Sequence, residues 1–67
     1  MKVFGERLKE IREERGVSMS ELARQMGTSQ QNISRWEKGE RVPSGETLIK
    51  LADFLNVSID YLVGREN

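Results

Sequence analysis

Sixty-seven residues with 11 basic and 11 acidic side chains, 36% hydrophobic and 33% charged, describe one small globular chain of zero formal charge. The absence of both cysteine and histidine removes disulfides, thiolate zinc sites and the commonest general base. The longest apolar run is Tyr61-Leu62-Val63 and the N-terminus MKVFGERLKE is charged throughout, so neither a membrane span nor a secretory signal is expected. A reducing, cytoplasmic compartment follows as the expectation.

Punctuation residues divide the chain. Gly16, Gly27, Gly39, Asn56 and Gly64 follow successive periodic segments, and these residue types tolerate the left-handed backbone that closes a helix. Starting signals stand opposite them. Ser18-Met19-Ser20-Glu21 and Thr28-Ser29-Gln30-Gln31 fit the capping box, and Ser44 and Ser58 precede two further apolar segments. Five short helices are predicted, near 3–15, 19–26, 30–38, 45–55 and 59–63, with no strands because no run alternates with period two. The chain, 1–67, reads as one all-α domain.

The first helix offers Phe4, Leu8 and Ile11 at helical spacing, and the second Leu22, Ala23 and Met26. Ile33 and Trp36 follow on the third, Leu48, Leu51, Ala52 and Leu55 on the fourth, and Ile59 and Leu62 on the fifth. Core packing is the plain reading of each stripe. Ile49, Phe54, Tyr61 and Val63 lie off the stripes and are candidates for a partner surface.

The third helix carries the most information. With Ile33 and Trp36 turned inward at 100° per residue, the opposite arc holds Gln31, Ser34, Arg35 and Lys38, with Gln30 and Asn32 at its edges. This face has amides, a hydroxyl and two cations, and no carboxylate. Glutamine offers the donor and acceptor that match adenine N6 and N7, and arginine the fork that matches guanine O6 and N7. A merely solvated face is the alternative, although Glu and Lys would support such a helix better. Charge distribution agrees with the first reading: Leu22 to Trp36 carries Arg24 and Arg35 with no acid, whereas the segment from Ser44 onward is acidic.

A helix at 19–26, a turn at Gly27-Thr28-Ser29 and a second polar-faced helix form a helix-turn-helix pattern over about 19–38. Together with Leu8, Ile11, Arg12, Gly16, Ser20-Glu21-Leu22-Ala23, Ile33, Trp36-Glu37, Gly39, Pro43, Leu51-Ala52, Leu55, Val57-Ser58 and Asp60-Tyr61-Leu62, the chain resembles the Cro/repressor-type, Xre-like helix-turn-helix family. The resemblance covers nearly the whole sequence. It implies a compact five-helix, lambda-repressor-like fold of bacterial or phage type whose third helix enters the major groove of double-stranded operator DNA.

The same resemblance implies that Gln30, Gln31 and Arg35 contact bases. It implies phosphate contacts for Asn32, Lys38 and Arg41; Ser34 and Arg12 are further candidates, and Ser18 with the amides of its helix N-terminus is a substitute where phage members often carry a glutamine and this chain has Met19. Arg12 and Glu37 match a pair that links the first helix to the end of the third, so Arg12 has two roles assigned to it. The family's two-fold axis implies a weak homodimer, strengthened on DNA, with Ile59 and Leu62 as dimer contacts. With zero net charge, and Glu40 and Val42 in the loop before the fourth helix, modest affinity and a shallow salt dependence are expected.

The expected activity is therefore transcriptional regulation, with repression the first reading and a phage-type repressor, a restriction-modification controller and an antitoxin all fitting the sequence. The competing protein-interaction reading would be marked by carboxylates on the outer face of the third helix, which has none. No nucleophile, base and orienting group form a recognisable set, so no catalysis, cofactor, metal or small-molecule ligand is expected.

Overall fold

Helix caps set the architecture. In the computed structural model, which describes residues 2–65, the chain forms α1 (Lys2–Glu14), α2 (Met19–Met26), α3 (Gln30–Glu37), α4 (Gly45–Leu55) and α5 (Ile59–Leu62), and the described residues include no strand. Serine opens each of the last four. Ser18, Ser29, Ser44 and Ser58 lie in extended conformation and accept from the backbone N–H three residues on, namely Glu21, Asn32, Thr47 and Tyr61. Each cap satisfies one amide that the first helical turn leaves without a partner.

The observed boundaries fall within one residue of the predicted ones, with one informative difference at α3. The expected box began at Thr28, but Ser29 is the cap, its Oγ 3.1 Å from Asn32 N. Thr28 instead accepts from the Asn32 side-chain amide at 2.9 Å. At Ser18 half of the expected box forms. Ser18 caps Glu21 N at 3.0 Å, while the Glu21 carboxylate turns forward to Arg24 and Gln25.

A single core cluster gathers Phe4, Leu8, Ile11, Leu22, Ala23, Ile33, Trp36, Leu51, Ala52, Leu55 and Leu62, with Val17, Met26, Leu48, Val57 and Tyr61 among the partly buried residues around it. Full burial of a side chain such as Leu22, Ile33 or Leu51 is worth about 1.5–3 kcal/mol each. α1 packs on α3 and α5, α2 on α3 and α4, and α4 on α5. The result measures 27 × 23 × 21 Å.

One member of the predicted stripes lies elsewhere. Ile59 is 38% exposed, while Leu62 on the same short helix is completely buried. The expectation that Leu62 contacts a second copy is therefore corrected: its side chain is part of the core and unavailable to a partner. A helix of four residues spans barely one turn, too little for periodicity to choose which of its apolar residues faces inward.

Gly5 explains how α1 approaches α3. A Cβ built there would lie 2.5 Å from the Glu37 carbonyl oxygen and 2.6 Å from that of Trp36. Glycine inside a helix costs about 1 kcal/mol relative to alanine, and here its missing side chain lets α1 touch the backbone at the end of α3.

Candidate nucleic-acid interface

The turn between α2 and α3 is a defined structure. Gly27 adopts φ +69°, where the absence of Cβ removes the usual penalty, and Thr28 N donates to Ala23 O at 2.9 Å, satisfying a carbonyl at the end of α2. Ser29 then caps α3 immediately. Three residues thus separate the two helices, and α2 packs against α3.

α3 is anchored by its inward side. Ile33 is fully buried and Trp36 is 4% exposed. Its C-terminal end is gripped by α1, where Arg12 Nε donates to Glu37 Oε2 at 2.7 Å and Nη2 to Oε1 at 3.3 Å. The third side of the guanidinium donates from Nη1 to Val17 O at 2.8 Å. The hydrogen bond and charge of Glu37 hold Arg12 in its charged form, raising its pKa above the ordinary value.

On the outer side, Gln30, Gln31, Arg35 and Lys38 are exposed, and Asn32 and Ser34 are half-buried at the margins. No carboxylate lies on this arc: Glu37, the acid of α3, has a side chain only 4% exposed and faces Arg12. Arg41 is exposed in the loop that follows. It borders an open cleft of about 330 Å³ lined by Thr28, Asn32, Trp36, Arg41, Pro43 and Ser44 among others. The cleft brings together Asn32 and Arg41, two of the expected phosphate contacts from separate segments. Ser18 is apart from them at the N-terminus of α2, where its Oγ accepts from Glu21 N and its hydroxyl hydrogen stays free to donate.

Arg12 does not belong to this surface. It is 7% exposed, and its donors are directed to Glu37 and Val17 inside the molecule. Of the two roles assigned to it, the phosphate contact is corrected, because a guanidinium enclosed in this way has no line to an external phosphate. The link to Glu37 is the one the geometry contains.

Charge on the neighbouring α2 is smaller than the sequence window implied. Arg24 pairs with Glu21, one residue outside the acid-free stretch. Hydrogen bonds from Gln25 and then Arg24 hold the Glu21 carboxyl below its ordinary range. Arg35, Lys38 and Arg41 are thus the exposed cations around α3 that enter no ion pair among the described residues.

Two residues outside the expected set hold α1 against its neighbours. Gly5 admits the α3 carbonyls to α1, and Arg15 Nε donates to Leu55 O at 3.1 Å, tying the end of α1 to the end of α4. A mid-helix glycine was the only sequence signal for the first, and none marked the second. The described residues contain no cluster of three or more metal-ligating side chains and no helix long and apolar enough to cross a membrane.

Comparison with known proteins adds to this geometry. The helix-turn-helix family model matches residues 8–62. The chain is 40% identical over 63 residues to the HTH-type transcriptional regulator ImmR of Bacillus subtilis, covering 94% of this chain and 50% of that protein. It is 42% identical over 64 residues to the transcriptional repressor RghR of the same organism, covering 94% and 47%. The chain thus spans about half the length of these relatives. Among solved structures, the P22 c2 repressor in complex with a synthetic operator superposes with a TM-score of 0.89 at 33% identity, covering 98% of this chain and 100% of that one.

Proposed function

The chain belongs to the helix-turn-helix family, and from that premise we propose that it is a sequence-specific double-stranded-DNA-binding regulator that represses transcription, with α3 as its reading helix. The observation that carries the proposal is the outer arc of α3. Gln30, Gln31 and Arg35 are exposed on a helix whose opposite side is locked by Ile33, Trp36 and the Arg12–Glu37 pair. Base reading needs such a rigid support, because a bidentate contact is lost when its side chain is displaced by an ångström. Glutamine and arginine here carry the donors and acceptors of the major-groove edges of adenine and guanine.

In this reading Asn32, Ser34, Lys38, Arg41 and Ser18 hold the phosphates and fix the register of the helix, without carrying sequence information themselves. Of these five only Lys38 and Arg41 are cations, so few counterions are released on binding and the dependence on salt is shallow.

Assembly follows from size. Half-sites one helical turn apart are separated by about 34 Å, and the greatest extent of the described residues is 27 Å. A two-fold operator thus calls for two copies, each presenting one α3. Ile59, exposed on α5, is the contact between them, and Phe54 near the end of α4 is exposed as well. So few apolar groups make a weak homodimer that forms chiefly on DNA.

Selection from randomised duplexes tests the proposal. The expected outcome is a two-fold site with matching half-sites about 10–10.5 base pairs apart. Enrichment of no sequence over the starting pool would overturn it.

A further inference from the structure

One stripe of α1 holds α5. Arg7 Nη1 donates to the Tyr61 carbonyl oxygen at 2.7 Å, and its guanidinium carbon lies 4.6 Å from the centre of the Tyr61 ring. The Tyr61 hydroxyl donates to Glu10 Oε1 at 3.3 Å. Beyond α5, Gly64 adopts φ +84°, and a Cβ there would lie 2.7 Å from Val3 Cγ1. Val3, Arg7 and Glu10 follow the i, i+4, i+7 spacing of one helix face, so a single edge of α1 receives the chain from Tyr61 to Gly64.

α5 has four residues and cannot fix its own direction, because helices this short are unstable alone. Its orientation comes from Leu62 in the core, from its packing against α4 and from the Arg7–Tyr61 clamp on α1. The same α1 grips the end of α3 through Gly5 and Arg12. It therefore joins the reading helix to the helix that bears Ile59.

We infer that Arg7 is a positioning residue for operator spacing: by fixing α5 on α1 it sets the direction of Ile59 relative to α3, and with it the half-site separation that two copies can span. The inference rests on the homodimer reading above. The contacts that Arg7 makes with Tyr61 lie within its own chain. Its side chain combines a charge-assisted hydrogen bond to the carbonyl with a cation over the ring, and both contacts restrain rotation of Tyr61 and of the turn that carries it.

The test uses the selected half-site alone, and pairs of half-sites separated in single-base-pair steps around the best spacing. Each duplex is titrated with the wild-type chain, Arg7→Met, Arg7→Gln and Arg7→Lys, after Trp36 emission has established that each variant is folded. The wild type is expected to favour one separation sharply. Arg7→Met, which keeps the apolar stem, should bind the single half-site as the wild type does but lose about fivefold or more of its preference for the best spacing, a typical scale for coupling between sites. Arg7→Gln should do the same, and so replaces Arg7→Met should that variant fail to fold. Arg7→Lys, which restores a donor and a cation over the ring, should recover most of the preference. A folded Arg7→Met or Arg7→Gln with the wild-type spacing profile overturns the inference. So does a loss of half-site affinity as large as the loss on paired sites, which would make Arg7 a general support of the fold. A wild type that gains nothing from a second half-site overturns the homodimer reading itself, and the inference with it.

Discussion

Arg12 and Glu37 face each other across the junction of α1 and the last turn of α3, with Nε 2.7 Å from Oε2 and side chains only 9% and 4% exposed. The pair orients the end of the reading helix, and because it is buried its two partners depend on each other. Removing one leaves an uncompensated charge inside the molecule, at a cost of about 3–5 kcal/mol, a large part of the stability of a chain this small. Glu37→Ala should therefore lower the denaturation midpoint sharply, followed by the emission of Trp36, the only tryptophan. The double variant Arg12→Met with Glu37→Leu should be considerably more stable than Glu37→Ala, since two apolar groups remove the unpaired charge. Equal destabilisation by both would show that the pair contributes packing and not charge compensation.

Gly5 should resist the substitution that helix propensity favours. Alanine is intrinsically better inside a helix by about 1 kcal/mol, but its Cβ would meet the carbonyl oxygens of Trp36 and Glu37 at 2.6 and 2.5 Å. Those are backbone atoms and cannot swing aside. Gly5→Ala should destabilise by about 1–3 kcal/mol, the usual cost of overpacking, as read from urea denaturation. A stabilised variant would mean that α1 and α3 separate easily.

Ile59 and Leu62 should respond oppositely. Leu62→Ala empties a fully buried site and should cost about 2–5 kcal/mol of stability. Ile59→Ser removes a side chain that is 38% exposed, and its cost should be about 1 kcal/mol, well below that of Leu62→Ala. It should instead weaken binding to the two-fold operator while leaving the half-site unaffected. A drop in stability without loss of paired-site binding would show that Ile59 serves the fold of its own chain.

Much of this molecule could be read in its sequence, because each helix repeats its apolar residues at a period that only one face satisfies. Phe4, Leu8 and Ile11 or Leu51, Ala52 and Leu55 leave no choice of inward direction, and the serine caps mark where the pattern starts. Periodicity failed where the element was too short to have a period, at Ile59 and Leu62 on α5. It also failed where adjacent residues compete for one job: Thr28 and Ser29 are both capping types, and the backbone chose the second. At Arg12 charge alone suited both a carboxylate partner and a phosphate, and only the burial of its donors distinguishes them. Gly5 and Arg7 were silent because their reasons are far along the chain, at the end of α3 and at Tyr61, 54 residues from Arg7. The arc of Gln30, Gln31 and Arg35 was legible because it is defined by what is opposite it, and Ile33 and Trp36 are unambiguous.

The central claim is that α3 reads bases while the following loop grips the backbone. It is tested most directly by titrating Gln31→Ala, Arg35→Ala and Arg41→Ala on the selected operator and on a scrambled duplex at several salt concentrations. Loss of a bidentate base contact costs about 1–3 kcal/mol at one position. Loss of a phosphate contact weakens all sequences alike and lowers the slope of log K against log salt by about 1 per copy. Arg35→Ala and Gln31→Ala should thus reduce operator binding far more than scrambled-DNA binding, each at a different base pair, with the salt slope kept. Arg41→Ala should lower both affinities together and flatten the slope. If Arg35→Ala and Gln31→Ala instead reduce operator and scrambled binding equally, the outer face of α3 does not read sequence and the account is wrong.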